Sequence, residues 1–258
     1  MEKEIEQAVL RVVRSMYENF SEQLTIDDLA RTAMFSKFHF SRVFQRVTGL
    51  SPGRFLSAVR LQEAKRLLSS TSLTVTDISH RVGYSSVGTF SSRFTSSVGI
   101  PPTGYRQSDG IVPVPFWGDG SDLSALGATT VCGTVLSPLE DQPVFIGLFP
   151  GRILEGQPIS HVVLRRPGPY TLSNVPAGNW HLMGQSIIAD RADAVDHPPG
   201  GDEALYIGYG GPIIVSSDND TRFVDLRLRP MHPFDPPVLL TLRDVLPMAA
   251  TCSPAKLG

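Results

Sequence analysis

Apolar residues at Phe40, Val43, Phe44 and Val47 fall at i, i+3, i+4 and i+7, the spacing of one buried helical stripe. Ser36 stands where an N-cap accepts a backbone N–H, and Gly49 where a helix ends in the left-handed region. The pattern therefore predicts a helix over 37–48. The same periodicity runs through the first two fifths of the chain. Ile5, Val9, Val12, Val13 and Met16 predict a helix over 4–20, and short capped runs predict helices over 27–33 and 75–82. Ser51-Pro52 is an N-cap followed by proline at the first helical position. The helix it opens, over 54–69, carries Phe55, Leu56, Val59, Leu61, Ala64, Leu67 and Leu68 on several sides. A helix apolar nearly all round is buried or bridges two bodies. Further helices are predicted over 86–97 and, started by proline, over 102–106.

The pattern is used twice. Leu29 matches Ile78, Phe35 Tyr84, Phe40 Phe90, Phe44 Phe94, Gly49 Gly99 and Phe55 Tyr105, at an offset of 49 residues before the turn and 50 after it. The second copy therefore carries one extra residue in its turn. Each copy opens with a capping box, Thr25-x-x-Asp28 or Thr74-x-x-Asp77, then breaks and resumes in a longer helix behind Ser36 or Ser86. Short helix, turn, longer helix is the helix-turn-helix signature. At 1.5 Å per residue the helix over 54–69 spans about 24 Å. With the girth of the flanking units, that length suits two recognition helices set about 34 Å apart.

From residue 129 helical periodicity stops, and short β-rich runs alternate with Pro and Gly. Strands are expected over 129–136, 144–149, 160–165, 169–173, 179–188, 204–209, 212–216, 222–229 and 238–242. Many short strands between turn signals predict an all-β antiparallel sandwich. Residues 108–128, rich in Pro, Gly, Ser and Asp, read as a linker, with Val112, Val114, Phe116 and Trp117 able to dock it on either domain. The expected protein is multi-domain: an all-α tandem helix-turn-helix domain over 1–107, the linker, and the β-sandwich over 129–250.

Charge sharpens this division. The net charge of −2 conceals 14 Lys and Arg against 9 Asp and Glu in residues 1–107, and 9 against 16 in residues 108–258. A basic first part joined to an acidic second part fits a nucleic-acid-binding module attached to something that is not one. A balance of +5 predicts moderate, salt-sensitive non-specific affinity. No run of about 18 apolar residues marks a membrane span, and the acidic, amphipathic start is no signal peptide. A cytoplasmic protein with no membrane partner is expected.

The outer side of the 37–48 helix carries Phe38, Ser41, Arg42 and Gln45, with Lys37 and Arg46 beside them. An aromatic and an arginine turned from the core suit a major groove, Arg on guanine O6/N7 and Phe against thymine methyls. A solvated face with one stray Phe explains that helix equally well alone; the tandem repeat favours DNA. The second copy offers Ser86, Val87, Gly88, Thr89, Ser91, Ser92, Arg93 and Thr95. Arg93 aligns with Val43 of the core stripe, so it should emerge at the edge of the helix, towards phosphate. The first copy should supply most base readout, and the second mainly anchoring.

The stretches SKFHFSRVFQRVTGLSPGRFLSAVRLQEAKRLL, VTDISHRVGYSS and FSSRFTSSVGIPPTGYR resemble the AraC/XylS-type DNA-binding domain over residues 5 to 107. The resemblance implies two helix-turn-helix units reading adjacent segments of double-stranded DNA as a transcription regulator. In most members the DNA-binding part comes last; here it comes first, so the regulatory part is expected to follow. Gly168, Tyr170, Leu172, Val175, Pro176, Gly178, Trp180 and Leu182 resemble a hairpin of carboxypeptidase-regulatory or transthyretin-like sandwiches, which speaks to fold and not to activity. The β domain is expected to sense a small-molecule effector or to mediate association. RNA polymerase and a second copy of the chain are further partners left open. The alternative reading is a sandwich acting on, or binding, a carbohydrate- or peptide-like substrate.

No catalytic constellation emerges, and neither an enzyme nor a cofactor is expected. Cys132 reads as a buried small hydrophobe, and nothing around it or Cys252 suggests a metal. His161 and His181 lie on expected strands. Asp190, Asp193, Asp196, His197, Asp202 and Glu203 form an acidic loop that matches no calcium pattern. Gly208–Gly211 lacks the following helix that a phosphate loop needs.

Overall fold

The computed structural model describes residues 2–110, 129–188, 205–216 and 220–240. These fall into two compact units: residues 2–110 with 231–239, and residues 129–188 with the described part of 205–230 and Leu240. The expected linker dock (112–117), the acidic loop (190–203) and Cys252 lie outside the described residues.

The first unit is helical: α1 (Glu2–Glu18), α2 (Ile26–Ala33), α3 (Lys37–Thr48), α4 (Pro52–Ser70), α5 (Val75–Arg81), α6 (Val87–Val98) and α7 (Pro102–Gln107). Local chemistry sets these limits. Thr25 and Asp28 close a reciprocal capping box on α2, and Thr74 and Asp77 close the same box on α5, satisfying N–H groups that the first turn leaves free. Ser36 and Ser86 cap α3 and α6 through the N–H of His39 and Thr89, and Gly49 and Gly99 end them with positive φ. The turn after α2 takes Met34 into the left-handed region, where the second copy uses Gly83. The extra residue of the second turn is Ser85, just ahead of the cap. At 19 residues α4 is longer than its apolar pattern indicated, because Pro52 starts it a half-turn earlier.

Each copy is built on the same aromatic ladder. Phe40–Phe44 and Phe44–Phe55 lie at 5.5 Å between centroids, and Phe90–Phe94 and Phe94–Tyr105 at 5.7 and 5.6 Å. All six are buried, and each ring removed from water contributes roughly 1.5–3 kcal/mol. Val9, Val12, Val13 and Met16 seal the first copy from α1. The ammonium of Lys65, buried on α4, donates to the Leu239 carbonyl at 2.8 Å and lies 5.5 Å from the Tyr105 ring.

The second unit holds two sheets. One has the order β3 (Ser160–Leu164), β2 (Val144–Phe149), β5 (Gly178–Ile187), β6 (Leu205–Val215), β9 (Arg229–Pro230). The other places β1 (Thr129–Leu136) between β4 (Pro169–Val175) and the short strands β7 (Thr221–Phe223) and β8 (Leu226–Arg227). Val131, Val135, Ile146, Leu148, Tyr170, Leu172, Leu182 and Leu226 belong to the core that both sheets share.

Several expectations need correction. The sheets are not wholly antiparallel, since β1 pairs with β7 and β8 in parallel. The strand expected over 222–229 is broken at Val224–Asp225. There Gly133 lets the Val224 carbonyl approach within 2.1 Å of where a Cβ would stand, and the Asp225 carboxylate accepts the Thr134 N–H. After Leu228 the chain changes sheets to pair with β6. The motif from Gly168 to Leu182 is not a hairpin. β4 pairs with β1, whereas β5 pairs with β2 and β6, and the corner between them is held by the Trp180 indole donating to the Pro176 carbonyl at 2.8 Å. In place of the two runs expected over 204–209 and 212–216, Leu205–Val215 is one strand with a register shift opposite Trp180/Leu182. Its Gly208 makes room for Leu228, which would lie 2.7 Å from a Cβ, so close packing accounts for it. No strand forms over 238–240, and residues 241–242 lie outside the described residues. Cys132 is only half-buried, facing outward between its register partners Thr171 and Phe223.

Candidate nucleic-acid interface

α3 buries Phe40, Val43, Phe44 and Thr48. Spacing of 100° per residue then turns Phe38, Arg42 and Gln45 to the opposite side, and all three are exposed, Phe38 to 82%. Ser36, Lys37 and Arg46 are exposed beside them. Ser41 is half-buried and its hydroxyl donates to the Lys37 carbonyl at 2.9 Å, so it sits at the rim. Lys37 is not a free cation: its ammonium lies 3.1 Å from the Asp27 carboxylate on α2. Asp28, one residue on, accepts hydrogen bonds from the Thr25 side chain and backbone and a bond from Arg31, which together hold its carboxyl below the usual range.

α6 buries Phe90, Phe94, Ser97 and Val98. Its exposed residues are Gly88, Thr89, Ser92, Arg93 and Ser96, with Ser86 at the cap; Val87, Ser91 and Thr95 are half-buried, and the Thr95 hydroxyl donates to the Ser91 carbonyl. Arg93 is exposed although Val43 at the matching position is buried. Thus α3 shows a long cation, an amide and an aromatic, while α6 shows glycine and short hydroxyls with one arginine at its edge.

Two exposed residues fall outside the expected set. His39 precedes Arg42 by three residues and lies edge-on to the Phe35 ring at 4.8 Å; Ser96 follows Ser92 by four. Residues three and four apart are neighbours on a helix, so a full helical projection finds both.

In the β unit His161 is half-buried against the Phe145 ring, and burial lowers its pKa. His181 bonds the Tyr209 hydroxyl, and desolvation followed by the nearby Arg152 charge lowers its pKa. The Arg152 guanidinium lies 4.5 Å from the Tyr209 ring. Among the described residues no three or more His, Cys, Asp or Glu are grouped to hold a metal, and no helix is long and apolar enough to cross a membrane.

Two capped short helices, each followed by a longer helix with one face buried and the other open, define a tandem helix-turn-helix module. Residues 29–108 match the helix-turn-helix domain family. The transcriptional activator AarP of Providencia stuartii is 35% identical over 91 residues, covering 35% of this chain and 67% of that protein. The chain belongs to the AraC family of helix-turn-helix transcription regulators. The lactose operon transcription activator of Staphylococcus xylosus is 33% identical over 34% of this chain and 32% of its own length. A crystal structure of the AdpA DNA-binding domain in complex with a target DNA shares 30% identity over 39% of this chain and 90% of that one, at a TM-score of 0.38. The match thus spans two thirds of the first relative but only a third of the second.

Proposed function

We propose that the chain is a sequence-specific transcription regulator that reads bases chiefly with α3, anchors chiefly with α6, and is regulated through its β unit. The observation that carries this reading is the outer side of α3, where Arg42 stands exposed one turn after Phe38, opposite the buried Phe40 and Phe44. An arginine there reaches guanine O6 and N7 as a fork, and the phenyl ring packs on thymine methyls. Arg93, at the edge of α6, is placed for phosphate. Half-buried His161 against the buried Phe145 ring, and half-buried His181 and Tyr209 on the same sheet beside the exposed Arg152 of the loop after β2, are polar and aromatic side chains that support sensing of a small polar effector. The name of the Staphylococcus relative makes sugars the first class to try.

The test is selection of binding sites from a random duplex library by the full-length protein, repeated with sugars and small organic acids present. Enrichment of one motif, with affinity changed by an effector, is the expected result. Retention of all sequences equally would overturn the base-reading assignment.

A further inference from the structure

The two heads are braced across the helical unit by a side chain of the helix that joins them. Arg60, half-buried in the middle of α4, donates through Nε to the Phe20 carbonyl and through Nη2 to the Glu22 carbonyl, both at 2.8 Å. Those carbonyls belong to the segment joining α1 to the first capping box. The guanidinium carbon also lies 5.8 Å from the centroid of the Tyr84 ring, in the turn of the second copy. One turn earlier on α4, the Ser57 hydroxyl is 3.2 Å from the Tyr84 hydroxyl. Tyr84 in turn packs on Phe90 of α6 at 5.4 Å. Gly83 is required beside it: φ is +86°, and a Cβ there would come 2.8 Å from the Phe20 carbonyl, 2.9 Å from that of Ser21 and 3.0 Å from the Arg60 guanidinium. The second turn therefore touches the entry segment of the first head directly.

The matching positions of the first copy have no such role. Met34, where Gly83 would be, is 83% exposed, and Phe35, in place of Tyr84, lacks a hydroxyl and meets His39. Arg106 ties the second copy in a similar way, donating to the Leu68 and Leu73 carbonyls at 3.2 and 2.6 Å, but those partners do not reach the other head.

We propose that Arg60, with Tyr84 and Gly83, is a positioning brace that fixes the relative setting of α3 and α6 and so sets the spacing of the two DNA segments the protein accepts. A planar, forked cation suits two carbonyls and an aromatic face together in a way that lysine does not. Inserting one base pair between the segments turns one against the other by about 35°, a misfit that a rigid pair of heads cannot follow.

This inference rests on the DNA-reading proposal, and the experiment separates the two. Full-length protein first selects its operator from a random duplex library. Affinities are then measured on that operator and on versions with one base pair inserted or deleted between the footprints of the two heads. Wild type should lose about tenfold or more on the altered spacings. Arg60→Met, which keeps the apolar stem, should bind the original operator somewhat more weakly but discriminate spacing less than about threefold. Arg60→Lys should restore discrimination only partly, and Tyr84→Phe, which loses one hydroxyl, should fall between. Equal weakening on every spacing, with the ratio unchanged in both Arg60→Met and Tyr84→Phe, would overturn the brace. Failure of wild type to select any operator would instead overturn the DNA reading, and the brace with it.

Discussion

In the first helix-turn-helix copy, Phe40, Phe44 and Phe55 stack beneath a helix whose outer side shows Phe38, Arg42 and Gln45. In the second, Phe90, Phe94 and Tyr105 stack in nearly the same way beneath Gly88, Ser92 and Thr95. The inner sides agree because both must fill the same space between short helix, long helix and connector, and close packing tolerates little change of volume. The outer sides answer to no such constraint. What they carry is set by what they touch, so their difference points to a division of labour rather than to folding.

The largest expected effect should not distinguish the copies. Phe44→Ala and Phe94→Ala each remove a fully buried ring and should each cost about 3–5 kcal/mol in urea unfolding. A clearly smaller loss in one copy would show that its ladder is not packed as described. Next comes the outer side. Arg42→Ala should weaken operator binding by about 1–3 kcal/mol and relax specificity at one position, whereas Arg93→Ala should weaken binding to all sequences alike. A base-specific loss at Arg93 would reverse the assignment of roles.

Smaller still are the caps. Thr25→Ala and Thr74→Ala should each cost about 1 kcal/mol of stability. Because Thr25 holds the Asp28 carboxyl below its usual range, the part of the capping box that runs through that carboxylate is present above the unfolded pKa of about 4. It is lost as pH falls through the lower folded value. Denaturation from pH 6 down to pH 2 should thus show a smaller acid-induced loss in Thr25→Ala than in wild type, and parallel curves would contradict this. The smallest effect is expected at Asp27. Its pair with Lys37 is largely exposed and worth about 0–1 kcal/mol to folding. Asp27→Asn should release the ammonium and tighten binding to all duplexes by a few-fold, with a steeper salt dependence; unchanged affinity would mean that Lys37 does not face the backbone of DNA.

Much of the helical unit is legible in the sequence, because its determinants are local. The i, i+3, i+4 stripe places Phe40 and Phe44 inside, and the caps at Thr25, Ser36, Thr74 and Ser86 fix where helices begin. The outward positions of Phe38, Arg42 and Gln45 follow from the same 100° step. The features that escape such reading depend on contacts distant along the chain. Arg60 shows no motif, since its acceptors lie 38 and 40 residues away. The change of sheet after Leu228 depends on which strands neighbour β1 and β6, and alternation alone does not encode that. Gly133 and Gly208 fall inside expected strands, but the reason for glycine there is not local: other segments pass too close for a side chain.

The claim that α3 reads and α6 anchors is met most directly by an operator substitution scan with the full-length protein, every base pair changed in turn at fixed salt. We expect substitutions beneath the first copy to cost about 1–3 kcal/mol each and those beneath the second clearly less. Costly positions gathered beneath the second copy would contradict it and make Arg93, with the hydroxyls around it, the reading surface.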